Sequence, residues 1–379
     1  MKYADEFRDP KAAKGLLGEI ERAIAAIGAT AERPVHVMEI CGGHTHAIFR
    51  YGLDKLTPPG LEFVHGPGCP VCVLPMPRVD EAVELAERPG MIFTTFGDAM
   101  RVPGFKKSLQ RAKAEGADVR MVYSPLDALS LARKNPDREV VFFGLGFETT
   151  TPSTALSIQQ AAADGQANFS VFCNHIMVPP PIKALLDDPF STLDGFVGPG
   201  HVSMVIGLEP YEFIARDYRK PVVVAGFEPI DLLQATAMVL KQIEEGRAAV
   251  ENQYSRVVPA AGNPVSIAAC EDVYEPRASF EWRGLGEIDR SGLKIREKYA
   301  AFDAERKFGV GYGAASRDVR EPDGCRCGDV MTGRIKPRAC PKFGGECTPE
   351  APLGALMVSS EGACAAYYQY GGARLEAAS

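Results

Sequence analysis

"EVVFFGLGFETTTPSTA", residues 139–155, carries the fold in miniature. An unbroken apolar run ends at a glycine, a threonine- and proline-bearing turn follows, and a helix-forming run begins. An apolar run without alternation suits a strand buried on both faces, and such strands belong to parallel sheets covered by helices. The same unit recurs along the chain. "PVHVMEI" (34–40), "LEFVHG" (61–66), "MIFTTFG" (91–97) and "DVRMVYS" (118–124) form one series. "EVVFFGLG" (139–146), "NFSVFCN" (168–174), "LDGFVGPG" (193–200) and "PVVVAGFE" (221–228) form a second. Within each series the starts lie 25 to 30 residues apart, the length of a strand plus a returning helix.

Two series of four strands predict an α/β fold with two similar Rossmann-like parallel-sheet domains, 31–132 and 133–254. Internal echoes point the same way: "FVHGPGCP" resembles "FVGPGHVS", and "GFETTTP" resembles "GFEPID". Residues 1–30 read as an amphipathic N-terminal helix. Beyond about residue 255 the pattern breaks, and 255–379 reads as a smaller, cysteine-rich domain that needs a staple or a metal to be stable.

The totals bound the function. A chain of 379 residues exceeds one ordinary core. A hydrophobic content of 46% and a charged content of 24% are those of a soluble globular protein. The formal charge is −7 and no long basic run occurs, so nucleic acid is not the expected partner. No apolar run reaches spanning length and the N-terminus lacks a secretion signal, so no membrane is expected and the location is expected to be cytoplasmic. In a reducing compartment ten cysteines suit metal or redox chemistry better than disulfide staples. Cys270, and to a lesser degree Cys173, read as small buried hydrophobes.

The chemically active residue types collect at strand ends: "CGGHTH", "HGPGCPVC", "GDAM", "GFETTTP", "CNHIMVPPP" and "GPGHVS". Ligands bind beyond the carboxyl ends of parallel strands, so these turns predict one shared cleft. Cys41 stands there with Gly42 and Gly43, which permit close approach, and with His44 and His46, which could raise its thiolate character or bind metal. Cys69 and Cys72 form a C-x-x-C pair able to cycle between dithiol and disulfide, and their flanking prolines argue against a thioredoxin-type helix start. Glu148 precedes three threonines at a helix start, a setting for an anion, a substrate or simple capping. No Walker or dinucleotide glycine motif supports a nucleotide site. The tail gathers Cys325, Cys327, Cys340, Cys347 and Cys364 among glycines and prolines. It lacks the C-x₂₋₄-C knuckle of structural zinc, so a four-iron cluster is favoured over zinc, with the ligating four of the five left open.

Together, "CGGHTH", "HGPGCPVC", "GFETTTP", "GPGHVS" and the tail ending "SSEGACAAYYQYG" resemble the HypD family of [NiFe]-hydrogenase maturation factors over the whole chain, with the motifs in order. The resemblance implies a scaffold. With HypC it would hold an iron atom that acquires two cyanides and one carbon monoxide, the cyanide arriving from HypE. The finished centre would pass to the hydrogenase large subunit. The family's cluster pattern, C-x14-C-x6-C-x16-C, falls on Cys325, Cys340, Cys347 and Cys364 and implies a [4Fe-4S] cluster, with Cys327 unassigned. Its cleft cysteines correspond to Cys41, Cys69 and Cys72. On this reading Cys41 holds the transient iron, His44 is a second ligand or proton donor, Glu148 belongs to the catalytic set, and Cys69/Cys72 relay electrons from the cluster. The rival readings are a stand-alone iron–sulfur thiol–disulfide oxidoreductase and a zinc-stabilised interaction protein.

Overall fold

A computed structural model describes residues 6–311 and 324–371. Its centre is two parallel sheets. The first runs β2 (Leu61–His65), β1 (Val35–Glu39), β7 (Gly195–Pro199), β8 (Val222–Ala225) and β9 (Val250–Asn252). The second runs β4 (Val119–Met121), β3 (Met91–Thr95), β5 (Glu139–Gly146) and β6 (Phe169–His175). Every pairing within them is parallel, from Val35 opposite Leu61 in the first to Gly146 opposite His175 in the second. All seven residues of β6 and all five of β3 are buried, as strands covered on both faces must be. The α/β class and the parallel, Rossmann-like sheets expected from the repeat are therefore present.

The assignment of strands to sheets differs from the expectation. The boundary at 132/133 divides neither sheet from the other: β1 and β2 pair with β7, β8 and β9, while β3 to β6 pair among themselves. The echoing segments "FVHGPGCP" and "FVGPGHVS" end β2 and β7, which flank β1 in one sheet. Uniform spacing shows that strands are parallel but does not say which ones are neighbours. The local cue lies at Asp194. Its carboxylate accepts from the His36 N–H at 2.9 Å and its own N–H donates to the His36 carbonyl at 2.9 Å, which seats β7 beside β1.

The N-terminal helix spans Pro10–Ile27. Asp9 caps it by accepting from the Lys11 N–H, and Gly28 closes it in the left-handed region. Its Ile20, Ala23 and Ile24 pack on Leu232, Leu233 and Val239 of the helix Pro229–Glu244, over the first sheet. The described residues of 255–379, expected as a smaller cysteine-rich domain, lie along both sheets. Helix Pro264–Val273 packs on helix Thr151–Ala163, and Leu293 and Ile295 join the core behind β5 and β6. A buried cluster fastens Ala304–Phe308: Glu305 pairs with both Arg78 and Arg277, and both guanidiniums donate to the Cys173 carbonyl, at 3.1 and 3.3 Å. The last helix, Ala363–Tyr370, lies against the helix Gly42–Arg50. Among the described residues no helix is long and apolar enough to cross a membrane.

Candidate functional site

Cys41 sits where β1 gives way to the helix Gly42–Arg50. It is the residue before the first turn, in extended backbone; its side chain makes no capping hydrogen bond, but the nearby Gly43 and His44 N–H groups pull the thiol down. Those dipoles favour a thiolate. Burial opposes them and wins: with the Glu361 and Glu39 carboxylates nearby, it pushes the thiol up to about 12. The sulfur therefore stays neutral until a cation offsets its surroundings.

The support beneath Cys41 is polar and fully enclosed. Glu39 accepts from the Cys41 N–H at 3.0 Å, from His65 Nδ1 at 2.8 Å, and from the Thr45 hydroxyl. His65 is itself packed against Phe49 and Tyr367. Two glycines allow the surrounding segments to close in. A methyl group at Gly68 would stand 2.6 Å from the Cys41 Cα, and one at Gly42 would stand 2.9 Å from Glu361 Oε2. The Gly68 carbonyl accepts from the Gly42 N–H at 3.0 Å, tying the loop after β2 to the head of the Cys41 helix.

Around this point the two sheets open into one cleft. The turn after β1 contributes Cys41, that after β2 Gly68 and Pro70, and that after β3 Phe96 and Asp98. The turn after β5 adds Thr149 and Thr150, that after β7 adds His201, and Glu361 reaches in from the tail. The convergence of strand-end turns is thus present, with the β6 turn left out of it.

Four of the residues singled out by sequence lie elsewhere. His44 is fully buried, its Nε2 3.2 Å from the Ala225 carbonyl and its ring against Phe227. Its ring is turned to the end of β8 and does not line the cleft. Glu148 faces a separate groove with Met177, Pro179, Phe213 and Cys270. The Val178 N–H donates to its two oxygens at 3.1 and 3.3 Å, and burial pushes the carboxyl up to about 7. Cys69 and Cys72 are joined as a disulfide with their Cα atoms 5.3 Å apart, and only 3% and 1% of the two residues is exposed. Their neighbours Pro70 and Val71, rather than the sulfurs, face the cleft.

Two cleft residues stand outside the candidate catalytic set, although the "GPGHVS" turn that carries the first was expected in the cleft. His201, at the first turn of helix Gly200–Ile206, stacks on Phe227 at 3.9 Å between ring centroids and lines the cleft. Desolvation lowers its pKa, which leaves a neutral imidazole at pH 7. Its signal was the strand-end "GPGHVS" itself. Glu361 comes from "SSEGAC", where the only signal was one acid in a run of small residues. His175 is structural: it bonds the Gly146 carbonyl and the Thr154 hydroxyl, and burial lowers it to about 4. Cys173 is buried, as expected, and donates to the Leu293 carbonyl; Cys270 is only half-buried, at the groove that holds Glu148, and donates to the Thr151 hydroxyl.

The five tail cysteines meet. Cys325, Cys327, Cys340, Cys347 and Cys364 all line one pocket, together with Arg326, Phe343 and Met357. A methyl group on Gly354 would fall 2.5 Å from Cys327 Sγ and 2.6 Å from Cys325 Sγ, so the glycine keeps open the space these sulfurs face. Among the described residues, no group of three or more His, Cys, Asp and Glu is disposed to hold a single metal ion. The pocket and the cleft share an element. Helix Ala363–Tyr370 carries Cys364, packs Tyr367 on Phe49 at 4.4 Å, and is preceded by Glu361 at the cleft.

The sequence matches the HypD family model, described as "Hydrogenase formation hypA family", over residues 12–371. It is similar to the hydrogenase maturation factor HypD of Rhodobacter capsulatus, 75% identical over 374 residues and covering 99% of each chain. It is 54% identical over 370 residues, 98% of each chain, to the HypD of Escherichia coli (strain K12). The HypD of Rhizobium leguminosarum bv. viciae is 53% identical over 378 residues, 98% of this chain and 96% of that one.

Proposed function

The chain belongs to the HypD family of hydrogenase maturation factors, and on that premise we propose that its cleft is the bench on which an iron atom receives cyanide and carbon monoxide. The observation that carries this reading is the convergence of the turns after β1, β2, β3, β5 and β7 on one cleft lined by Cys41. The iron is cargo, received and handed on. Cys41 binds it as thiolate, a soft donor suited to the low-spin ferrous iron that such ligands favour. A positive iron supplies the compensation that the thiol's buried surroundings withhold, so binding and loss of the thiol proton occur together. His201 offers a neutral imidazole in the same cleft, as a second ligand or as a proton acceptor; Glu361 offers a carboxylate beside the sulfur.

The partners follow from the family reading. HypC contributes a second thiolate to the shared iron at the cleft mouth, HypE delivers the cyanide, and the finished centre passes to the hydrogenase large subunit. Cys325, Cys340, Cys347 and Cys364 would hold a [4Fe-4S] cluster. Five thiols ringing one pocket suit a polynuclear core, whose irons each take a thiolate, better than one zinc. When bound, such a cluster supplies single electrons, and the Cys69–Cys72 disulfide is the group of this chain able to accept them. Its reduction takes two electrons and two protons and leaves two thiols. Burial of both sulfurs counts against the rival reading, a reductase acting directly on protein disulfides.

The test is metal stoichiometry. Protein purified without oxygen from cells that also make HypC and HypE should hold iron in excess of its acid-labile sulfide. Cys41→Ala should remove the excess and leave the sulfide unchanged. Equal iron and sulfide in both proteins would remove the basis for an iron-holding cleft.

A further inference from the structure

The tail presents five sulfurs where the family pattern uses four. Cys340, Cys347 and Cys364 each reach the pocket from their own segment, but Cys325 and Cys327 arrive together, separated only by Arg326. Their sulfurs are 3.2 Å apart and within hydrogen-bonding geometry of each other. Both face the same space under Gly354, at nearly equal distances from where a side chain there would begin. The Cys327 residue is 5% exposed, so its sulfur is not a surface thiol turned to solvent. An iron in a four-iron core holds three sulfides and has one position left for a thiolate. Two sulfurs this close cannot serve two different irons without the chain being drawn apart.

From this juxtaposition we propose that Cys325 and Cys327 are alternative ligands to one iron: either thiolate can bind it, and the other stays hydrogen-bonded to the bound sulfur. The proposal rests on the cluster reading above. It adds Cys327 to the ligand set and makes that corner the one position where a thiolate can be lost without losing the metal. A hydrogen bond to a ligating sulfur also withdraws charge from it and makes the cluster easier to reduce. The pair therefore tunes the cluster as well as holding it.

The experiment compares the wild-type chain with Cys325→Ala, Cys327→Ala, the double variant and Cys340→Ala, all purified without oxygen. Iron and acid-labile sulfide per chain are measured, with the electron paramagnetic resonance spectrum after reduction. Each single variant at the pair should keep roughly the wild-type iron and sulfide, with a spectrum altered from wild type. The double variant and Cys340→Ala should both lose iron, down to a three-iron form or to none. Retention of a full cluster by the double variant would overturn the proposal. So would a Cys325→Ala protein as depleted as Cys340→Ala while Cys327→Ala is untouched, in the resonance spectrum as in iron. A wild-type protein with zinc and no sulfide would sink the cluster reading itself, and is distinct from both of these results. Far-ultraviolet circular dichroism of each variant identifies any that is depleted because it is unfolded. For such a variant the corresponding serine substitution is measured in its place and judged by the same criteria.

Discussion

Replacing Gly68 with alanine probes the join between the Cys69–Cys72 loop and Cys41. The added methyl would fall against the Cys41 backbone nitrogen, 2.6 Å from its Cα and 2.7 Å from the Ile40 carbonyl carbon. These are backbone atoms of a buried strand end, so no side chain can rotate out of the way. Overpacking of this kind costs about 1–3 kcal/mol, and the rigidity of the neighbours places Gly68→Ala in the upper half of that range. Relief requires the loop to lift, which stretches the 3.0 Å bond from the Gly42 N–H to the Gly68 carbonyl and shifts the head of the Cys41 helix. Two measurements read the effect. Urea unfolding, followed anaerobically, should show the loss of stability. Iron above the sulfide content should fall sharply, while the sulfide itself persists, because Gly68 does not line the cysteine pocket. Gly15 is the contrast. It lies exposed within helix Pro10–Ile27, and a methyl there meets nothing within 4 Å. Gly15→Ala should gain about 0.4–1 kcal/mol through lower unfolded-chain entropy and leave iron unaffected. A Gly68→Ala protein with wild-type midpoint and undiminished excess iron would refute the claim that this contact positions Cys41.

Three further outcomes follow from the geometry. Glu305→Ala leaves the Arg78 and Arg277 guanidiniums buried without their shared carboxylate and should cost about 3–5 kcal/mol in urea unfolding. Burial alone would raise the Glu305 carboxyl, but Arg78 and Arg277 outweigh it and hold it below its usual value, so its contribution is present at neutral pH and lost as pH falls through that lowered value. Glu148 has the opposite sign. Its carboxyl is pushed up to about 7, so ionising it costs stability as pH rises from the ordinary glutamate range toward 7. Glu148→Gln should flatten that slope and match or exceed wild-type stability above pH 7; a stability–pH curve unchanged by the substitution would contradict it. His201→Ala should keep the wild-type unfolding midpoint and lose cleft iron, whereas His44→Ala should lose about 1–3 kcal/mol of stability, since it empties a buried, hydrogen-bonded site.

What the sequence could reveal followed the range of the interactions. Strands such as β3 and β6 were legible because burial on both faces writes itself as an unbroken apolar run. Their partition between sheets was not, since strand–helix spacing is the same whichever neighbour a strand chooses. Contacts formed across the chain, among them the Asp194–His36 bonds, set it. Cys41 was legible from the glycines that crowd it. His44 misled because its ring packs on Phe227 and the Ala225 carbonyl rather than facing the cleft, a long-range contact no local motif records, while His201 is brought to the cleft by a strand far along the chain. Glu361 reaches Cys41 through the packing of Tyr367 on Phe49, which no short motif records. The disulfide between Cys69 and Cys72 was foreseeable as a possibility from their spacing; the burial of its sulfurs behind Pro70 and Val71 was not.

The most direct measurement of the central claim is an infrared spectrum of the protein purified without oxygen from cells making HypC and HypE, beside the same preparation of Cys41→Ala. Metal-bound cyanide and carbon monoxide absorb where protein scarcely does. The account predicts such bands in the wild-type protein and their absence in the variant, with cluster iron and sulfide equal in the two. Bands of undiminished intensity in Cys41→Ala would place the iron elsewhere and contradict it.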